Sequence, residues 1–227
     1  MKQLAATLLL ALAVAACAGC NSEYSAAPPQ VLRPQQVRSF ETLYQQNCAG
    51  CHGARGKDGA AVSLTNEVYL AMADDATIRR ITAQGVPGTA MSAFAQSHGG
   101  MLTDEQVDAL VKGIRSRAGR HMDLTPPSYV ALSAGDPKRG TDVYNTYCAA
   151  CHGAAGRGGS RAGSIVDASY LALVSDRYLR TIVIVGRPEL GAPDWRDNVP
   201  GKPMSEENVS DVVAWLSAQR PAIGGTK

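Results

Sequence analysis

Cys48-Ala49-Gly50-Cys51-His52-Gly53 and Cys148-Ala149-Ala150-Cys151-His152-Gly153 are two copies of one pattern, 100 residues apart. C-x-x-C-H is the spacing of a covalent c-type haem site. Two thiolates add across the two vinyl groups of one porphyrin, and the next residue, His, supplies the nitrogen ligand under the iron. Cys48, Cys51, Cys148 and Cys151 are therefore the expected thioether positions, with His52 and His152 as proximal iron ligands. A zinc site made from two C-x-x-C pairs, or a pair of thioredoxin-like dithiols, accounts for the cysteines but not for a His directly after both pairs.

The rest of the composition agrees with that reading. A chain of 227 residues makes one large or two small domains. It is 45% hydrophobic yet only 5% aromatic, with two Phe and two Trp. Two covalently held porphyrins supply the apolar mass that such small cores lack. A formal charge of +2 gives no electrostatic case for nucleic-acid binding. Four of the six cysteines lie in the two motifs and the others are Cys17 and Cys20, so none is left for a structural disulfide or a catalytic thiol.

The N-terminus has the pattern of an export signal. One positive charge, Lys2, precedes the apolar run Leu4 to Ala16, broken only by Thr7. Such a run is too short for a membrane span and suits the central region of a signal peptide. Val14-Ala15-Ala16-Cys17 resembles a bacterial lipobox, so residues 1–16 are expected to be removed and Cys17 lipidated, with Cys20 as the alternative and ordinary cleavage without lipid as a third reading. Several acyl chains hold a protein stably at a membrane surface where one does not. Residues 17–33, rich in Ser and Pro, then read as the lipidated end and an extended tether.

Residues 34–119 form the first expected domain. Val37, Phe40, Leu43 and Tyr44 have helical spacing and lead into Cys48. Short helices are expected from Thr65 or Asn66 to Met72 and from Asp75 to Gln84, the second capped by Asp74 or Thr77. Thr103-Asp104-Glu105-Gln106 is a capping box that opens a last helix, whose apolar face is Val107, Leu110, Val111 and Ile114. After a Pro-rich linker over 120–135, residues 136–221 repeat the plan, followed by a tail at 222–227. Asp136-Pro137 reads as N-cap and first turn of a helix reaching Tyr147, and Val209, Val212, Val213 and Leu216 form the closing face, 102 residues after its first counterpart.

A helix, C-x-x-C-H, a loop, short helices, Val86-Pro87-Gly88-Thr89-Ala90-Met91 and a closing amphipathic helix together resemble a class I cytochrome c domain. The chain thus resembles a diheme cytochrome c with a lipoprotein-type precursor. The resemblance implies an all-α fold of two tandem domains, each a few helices wrapped around one covalent haem c. It implies Met91 as the second axial ligand of the first iron; His98 and Met101 on the same segment read as loop residues. It also implies a close crossing of first and last helices, with Gly140 against Trp215 in one half and, with large and small exchanged, Phe40 against Gly113 in the other. The Pro that often follows the haem His by a dozen residues, and orients it, is missing from both halves, so another backbone carbonyl must do that work.

For the second iron two alignments compete. Counting from the haem motif puts Ala192 where Met91 stands, which leaves the haem open or differently ligated. Local sequence instead matches Val199-Pro200-Gly201-Lys202-Pro203-Met204-Ser205 to residues 86–92, and the expected ligand on that reading is Met204. Met204 also suits a hydrophobic staple before the closing helix, and Lys202 is a further donor. Arg177, Arg180, Arg187 and Arg196 read mostly as solvated surface, with Trp195-Arg196 the favoured partners for haem propionates.

The function that the resemblance implies is electron transfer in the periplasm by a lipid-anchored diheme carrier, between a respiratory donor complex and an acceptor such as a terminal oxidase. The alternatives are a fixed cytochrome subunit of a quinol-oxidising or dehydrogenase complex, and a peroxidase-like enzyme with an open second haem. No catalytic residue is assigned.

Overall fold

The computed structural model describes residues 31–117 and 124–221. The expected signal peptide, Cys17, Cys20 and most of the tether lie outside the described residues, as do His121, Met122 and the tail. Contacts divide the chain into two compact units, Met1–Gln36 and Val37–Lys227. In the first, Pro34–Gln36 makes a single 3-10 turn. The second holds both haem motifs and, among the described residues, only helices, turns and two isolated bridges.

Five helices form the first half: α1 (Phe40–Asn47), α2 (Ala49–His52), α3 (Glu67–Met72), α4 (Asp75–Gln84) and α5 (Asp104–Arg117). Five follow in the same order: α6 (Pro137–Tyr147), α7 (Ala149–His152), α8 (Ala168–Leu173), α9 (Asp176–Val185) and α10 (Glu206–Ala218). Local sequence sets their ends. Asn66 accepts the Tyr69 N–H ahead of α3, and Asp74 accepts the Thr77 N–H ahead of α4. Thr103 and Gln106 exchange side-chain and backbone hydrogen bonds before α5, and Ser205 and Asn208 do the same before α10. Gly85 and Gly186, at φ +70° and +66°, end α4 and α9. A Cβ on Gly85 would press on Met91 and its neighbours, and one on Gly186 would press on Ala192 and Pro193, so each turn needs glycine twice over.

The first and last helices of each half cross at van der Waals contact. A Cβ on Gly113 would lie 2.0 Å from the Phe40 ring, and one on Gly140 would lie 2.2 Å from the Asp211 carbonyl and 2.6 Å from Trp215 Cβ. Phe40 thus fills the gap over Gly113 from α1, beside Tyr44, whereas Trp215 fills it from α10 and stacks on Tyr144 at 4.4 Å. Volume at the crossing is preserved while the large residue changes helix.

Polar anchors then fix the second crossing. Asp211, 2% exposed, takes Arg139 Nε at 2.7 Å, a second Arg139 nitrogen at 2.8 Å and the Asp136 N–H at 2.6 Å. Burial alone raises its carboxyl, but the Arg139 guanidinium and the Asp136 N–H outweigh that and hold it below the usual carboxylate range. A depressed carboxylate gives stability that is present above its unfolded pKa, about 3.9, and is lost as pH falls through the folded value. Asp211→Ala is expected to cost about 1–3 kcal/mol at neutral pH. In urea titrations at several pH values the gap from wild type should close below about pH 4; a gap independent of pH would remove this reading.

The two halves pack on each other inside their unit. Asn66 donates to the Val185 carbonyl, and Arg187 reaches from the second half to the carbonyls of Gly59 at 2.7 Å and Ala60 at 3.2 Å. Arg180, read from the sequence as solvated, is 3% exposed. Its guanidinium ties the linker carbonyl of Ser128 to Ser210 and to the Glu206 carboxylate. Five donors in a fixed plane can serve three acceptors from different segments, which is why the charge is retained inside.

Candidate haem sites

Each C-x-x-C-H closes one helical turn. Cys48 and Cys148 donate their N–H to the carbonyls of Tyr44 and Tyr144, and the hydroxyls of those tyrosines donate to Gly53 and Gly153, which ties each motif to the helix ahead of it. All four thiols are free. Burial, and then the neighbouring Cys51, pushes the Cys48 thiol up to about 11; burial and Cys151 push Cys148 to about 12. No group of three or more His, Cys, Asp or Glu that could hold a metal ion gathers among the described residues.

Both imidazoles are oriented from behind. His52 Nδ1 lies 2.8 Å from the Val62 carbonyl, and His152 Nδ1 lies 2.9 Å from the Gly163 carbonyl. Donation from Nδ1 fixes the tautomer and leaves Nε2 as the free lone pair, the arrangement a metal-binding imidazole needs. Backbone carbonyls of Val62 and Gly163 thereby do what the missing prolines do elsewhere. Burial pulls the His52 pKa down, against the pull of the Val62 carbonyl upward, so the ring is held neutral.

Cys48, Cys51, His52 and Met91 line one cavity of about 500 Å³. Ile78, Ile81, Leu110 and Ile114 supply much of its apolar wall. The volume lies within the roughly 300–1,000 Å³ of cofactor pockets. Two thiols, an imidazole and a thioether among apolar walls fit a covalent haem c, which Cys48, Cys51, His52 and Met91 would hold. Part of the wall comes from the other half: Leu173, Val174, Arg177 and Tyr178 of α8, α9 and the turn between them, with Tyr129 of the linker. Arg177 lies over the Tyr129 ring at 5.4 Å, so it stands at this cavity rather than facing only solvent. His98 and Met101 are exposed on the loop before α5 and are not among the cavity walls.

The second half repeats the proximal side but not the distal one. Val86 N–H donates to the Met91 carbonyl at 2.8 Å, directly after Gly85. Directly after Gly186, Arg187 N–H donates to the Ala192 carbonyl at 2.9 Å. Ala192 therefore holds the place of Met91. Further on, Leu102 N–H donates to Phe94 at 2.8 Å and Met204 N–H donates to Trp195 at 2.9 Å. Met204 holds the place of Leu102: it stands directly before the N-cap Ser205, 3% exposed, packed in the core with Val209. The structure does not bring Met204 to the position of Met91, because the repeated Val-Pro-Gly-x-x-Met-Ser string falls on the cap of α10 in one half and on the cavity in the other. Lys202 is exposed, its ammonium 5.7 Å from the Tyr147 ring. Arg196, favoured from sequence as a propionate partner, forks onto both oxygens of Asp194, at 3.0 and 2.6 Å.

The family described as "Cytochrome C oxidase, cbb3-type, subunit III" matches residues 35–112 and again 135–216. A "Cbb3-type cytochrome c oxidase subunit CcoP" of Azospirillum sp. is 32% identical over 133 residues, which are 54% of this chain and 41% of that protein. The chain therefore spans about two fifths of that relative's length. A "Cytochrome bc1 complex cytochrome c subunit" of Mycobacterium bovis is 21% identical over 97% of this chain and 78% of its own. Among solved structures, a chain of the Kuenenia stuttgartiensis reducing HAO-like protein complex aligns at TM-score 0.49 and 17% identity, covering 82% of this chain and 99% of that one.

Proposed function

The chain belongs to the cbb3-type cytochrome c oxidase subunit III family and is a diheme class I cytochrome c with two covalent haem c groups, and from that premise we propose that it is an exported, membrane-tethered carrier of single electrons between a respiratory donor complex and an acceptor. The observation that carries this reading is the convergence of Cys48, Cys51, His52 and Met91 on one apolar cavity. When bound there, haem supplies a one-electron iron couple that needs no bond making. The thiols of Cys48 and Cys51 would hold it covalently, and Cys148 and Cys151 would hold the second. His52, neutral and aimed by Val62, presents Nε2; Met91 presents a thioether, which has no proton to lose and favours ferrous iron. His152, aimed by Gly163, has the same proximal role in the second half. Arg177 places a cation at the rim of the first cavity, where it would pair with a propionate.

Membrane attachment rests on Cys17 or Cys20, which lie outside the described residues. No helix among the described residues is long and apolar enough to cross a membrane. The relatives are named as subunits of a cbb3-type oxidase and of a bc1 complex, which supports a respiratory donor and acceptor here. Rapid mixing tests the reading: membranes given a quinol should reduce the full-length protein, and membranes containing a terminal oxidase should reoxidise it, both haems cycling within turnover time. Haems that neither membrane preparation reduces or oxidises would overturn the carrier assignment.

A further inference from the structure

We propose that the second haem has no methionine ligand and keeps its sixth iron position open to a small exogenous ligand of the carbon monoxide or nitric oxide type. This deepens the diheme reading and rests on it. Three observations carry it.

The first is the backbone correspondence already described. Gly186, Arg187 and Ala192 reproduce the turn of Gly85, Val86 and Met91, and a methyl group stands where the thioether stands. Alanine has no lone pair, and shortening the side chain leaves space beside the iron that a small apolar or weakly polar molecule can enter.

The second is that Met204 is held away from that place. Its N–H donates to Trp195, whose own N–H donates to Ile184 at 3.0 Å, so both strands of the loop are pinned. Asp194 fixes the tip by accepting from the Arg196 side chain and backbone, and its carbonyl accepts from Asn198. To replace Ala192, Met204 would have to leave the core, break the Trp195 contact and unseat the capping box of α10.

The third is the lack of a substitute in sequence. Met204 is the only Met after His152, and no His follows it. Lys202 is the one lysine of the loop. It is exposed, with its ammonium 5.7 Å from the Tyr147 ring. The loop thus presents a methyl group at residue 192 and keeps its one methionine on the cap of α10.

Carbon monoxide titration of the dithionite-reduced, full-length protein tests this, with haem content measured separately. One equivalent per chain is expected for wild type, and two for Met91→Ala. Ala192→Met should lose the equivalent seen in wild type and gain a sulfur-to-iron charge-transfer band in the oxidised spectrum. Met204→Leu should leave the stoichiometry at one. Wild type binding no carbon monoxide would overturn the proposal, and binding gained only in Met204→Leu or only in Lys202→Ala would name the ligand that does so. A single equivalent that does not rise in Met91→Ala would place the open site on the first haem and overturn it as well. A haem content below two per chain is the separate result that would sink the diheme reading.

Discussion

Met91→Ala is expected to lower the higher of the two reduction potentials by on the order of 0.1 V or more, within the roughly 0.8 V span that axial ligands control. The substitution removes the one methionine among the described residues that line the first cavity. It leaves the loop intact, because the Val86 contact is made to the backbone carbonyl of residue 91 and the turn is set by Gly85. Loss of the thioether withdraws its preference for ferrous iron, so the couple moves down while haem content and helix content stay unchanged. Potentiometric titration followed by absorption spectroscopy reads this directly. An unmoved potential would mean that Met91 is a wall of the cavity and nothing more.

Gly140→Ala is expected to destabilise the protein by about 2–3 kcal/mol, although alanine favours an exposed helix by about 1 kcal/mol over glycine. The added methyl would meet a backbone carbonyl, Asp211 O at 2.2 Å, as well as Trp215 Cβ. A carbonyl within a helix cannot swing aside, so α6 and α10 must separate along their crossing. Separation also loosens the Tyr144–Trp215 stack and the Arg139–Asp211 fork, which lie on the same two helices. Gly113→Ala differs: the three atoms nearest its methyl all belong to the Phe40 ring, a side chain, so a smaller residue at position 40 should restore most of the loss. Guanidinium denaturation of Gly140→Ala, Gly113→Ala and Phe40→Leu/Gly113→Ala separates the two cases. A Gly140→Ala variant as stable as wild type would remove the tight crossing.

Much of this arrangement was readable in the chain because its causes are local. Capping residues sit two or three positions from the N–H they serve, so Thr103 with Gln106, and Asp136 with Pro137, announced their helices. The exchange of large and small residues at the crossing was readable because both repeats carry one aromatic and one glycine at fixed offsets. What failed had non-local causes. A backbone carbonyl has no sequence signature of its own; Val62 and Gly163, which aim the imidazoles, stand 10 and 11 residues after His52 and His152, close to where the missing prolines would fall. Arg180 looked like surface because its partners, Ser128 and Glu206, are 52 and 26 residues away. Arg115 and Arg220 both close the C-terminal turn of the short helix in their half, on the carbonyls of Leu70 and Leu171, from places on α5 and after α10 that no single offset relates. Met204 was named as a ligand from a repeated string, and the carbon monoxide titration is the test of that reading. The backbone pairing of residue 86 with 91 and of 187 with 192 decides which positions correspond, and the count from the haem motif preserved that register while the local match did not.

Everything rests on two C-x-x-C-H turns each holding a porphyrin through two thioethers. The measurement to make is the covalent haem content of the full-length chain, by intact mass and by the absorption of its alkaline pyridine complex. Wild type should carry two haems, while Cys48→Ser/Cys51→Ser and Cys148→Ser/Cys151→Ser should each carry one. A wild-type chain of unmodified polypeptide mass, or one that holds zinc on its four thiols, would contradict it.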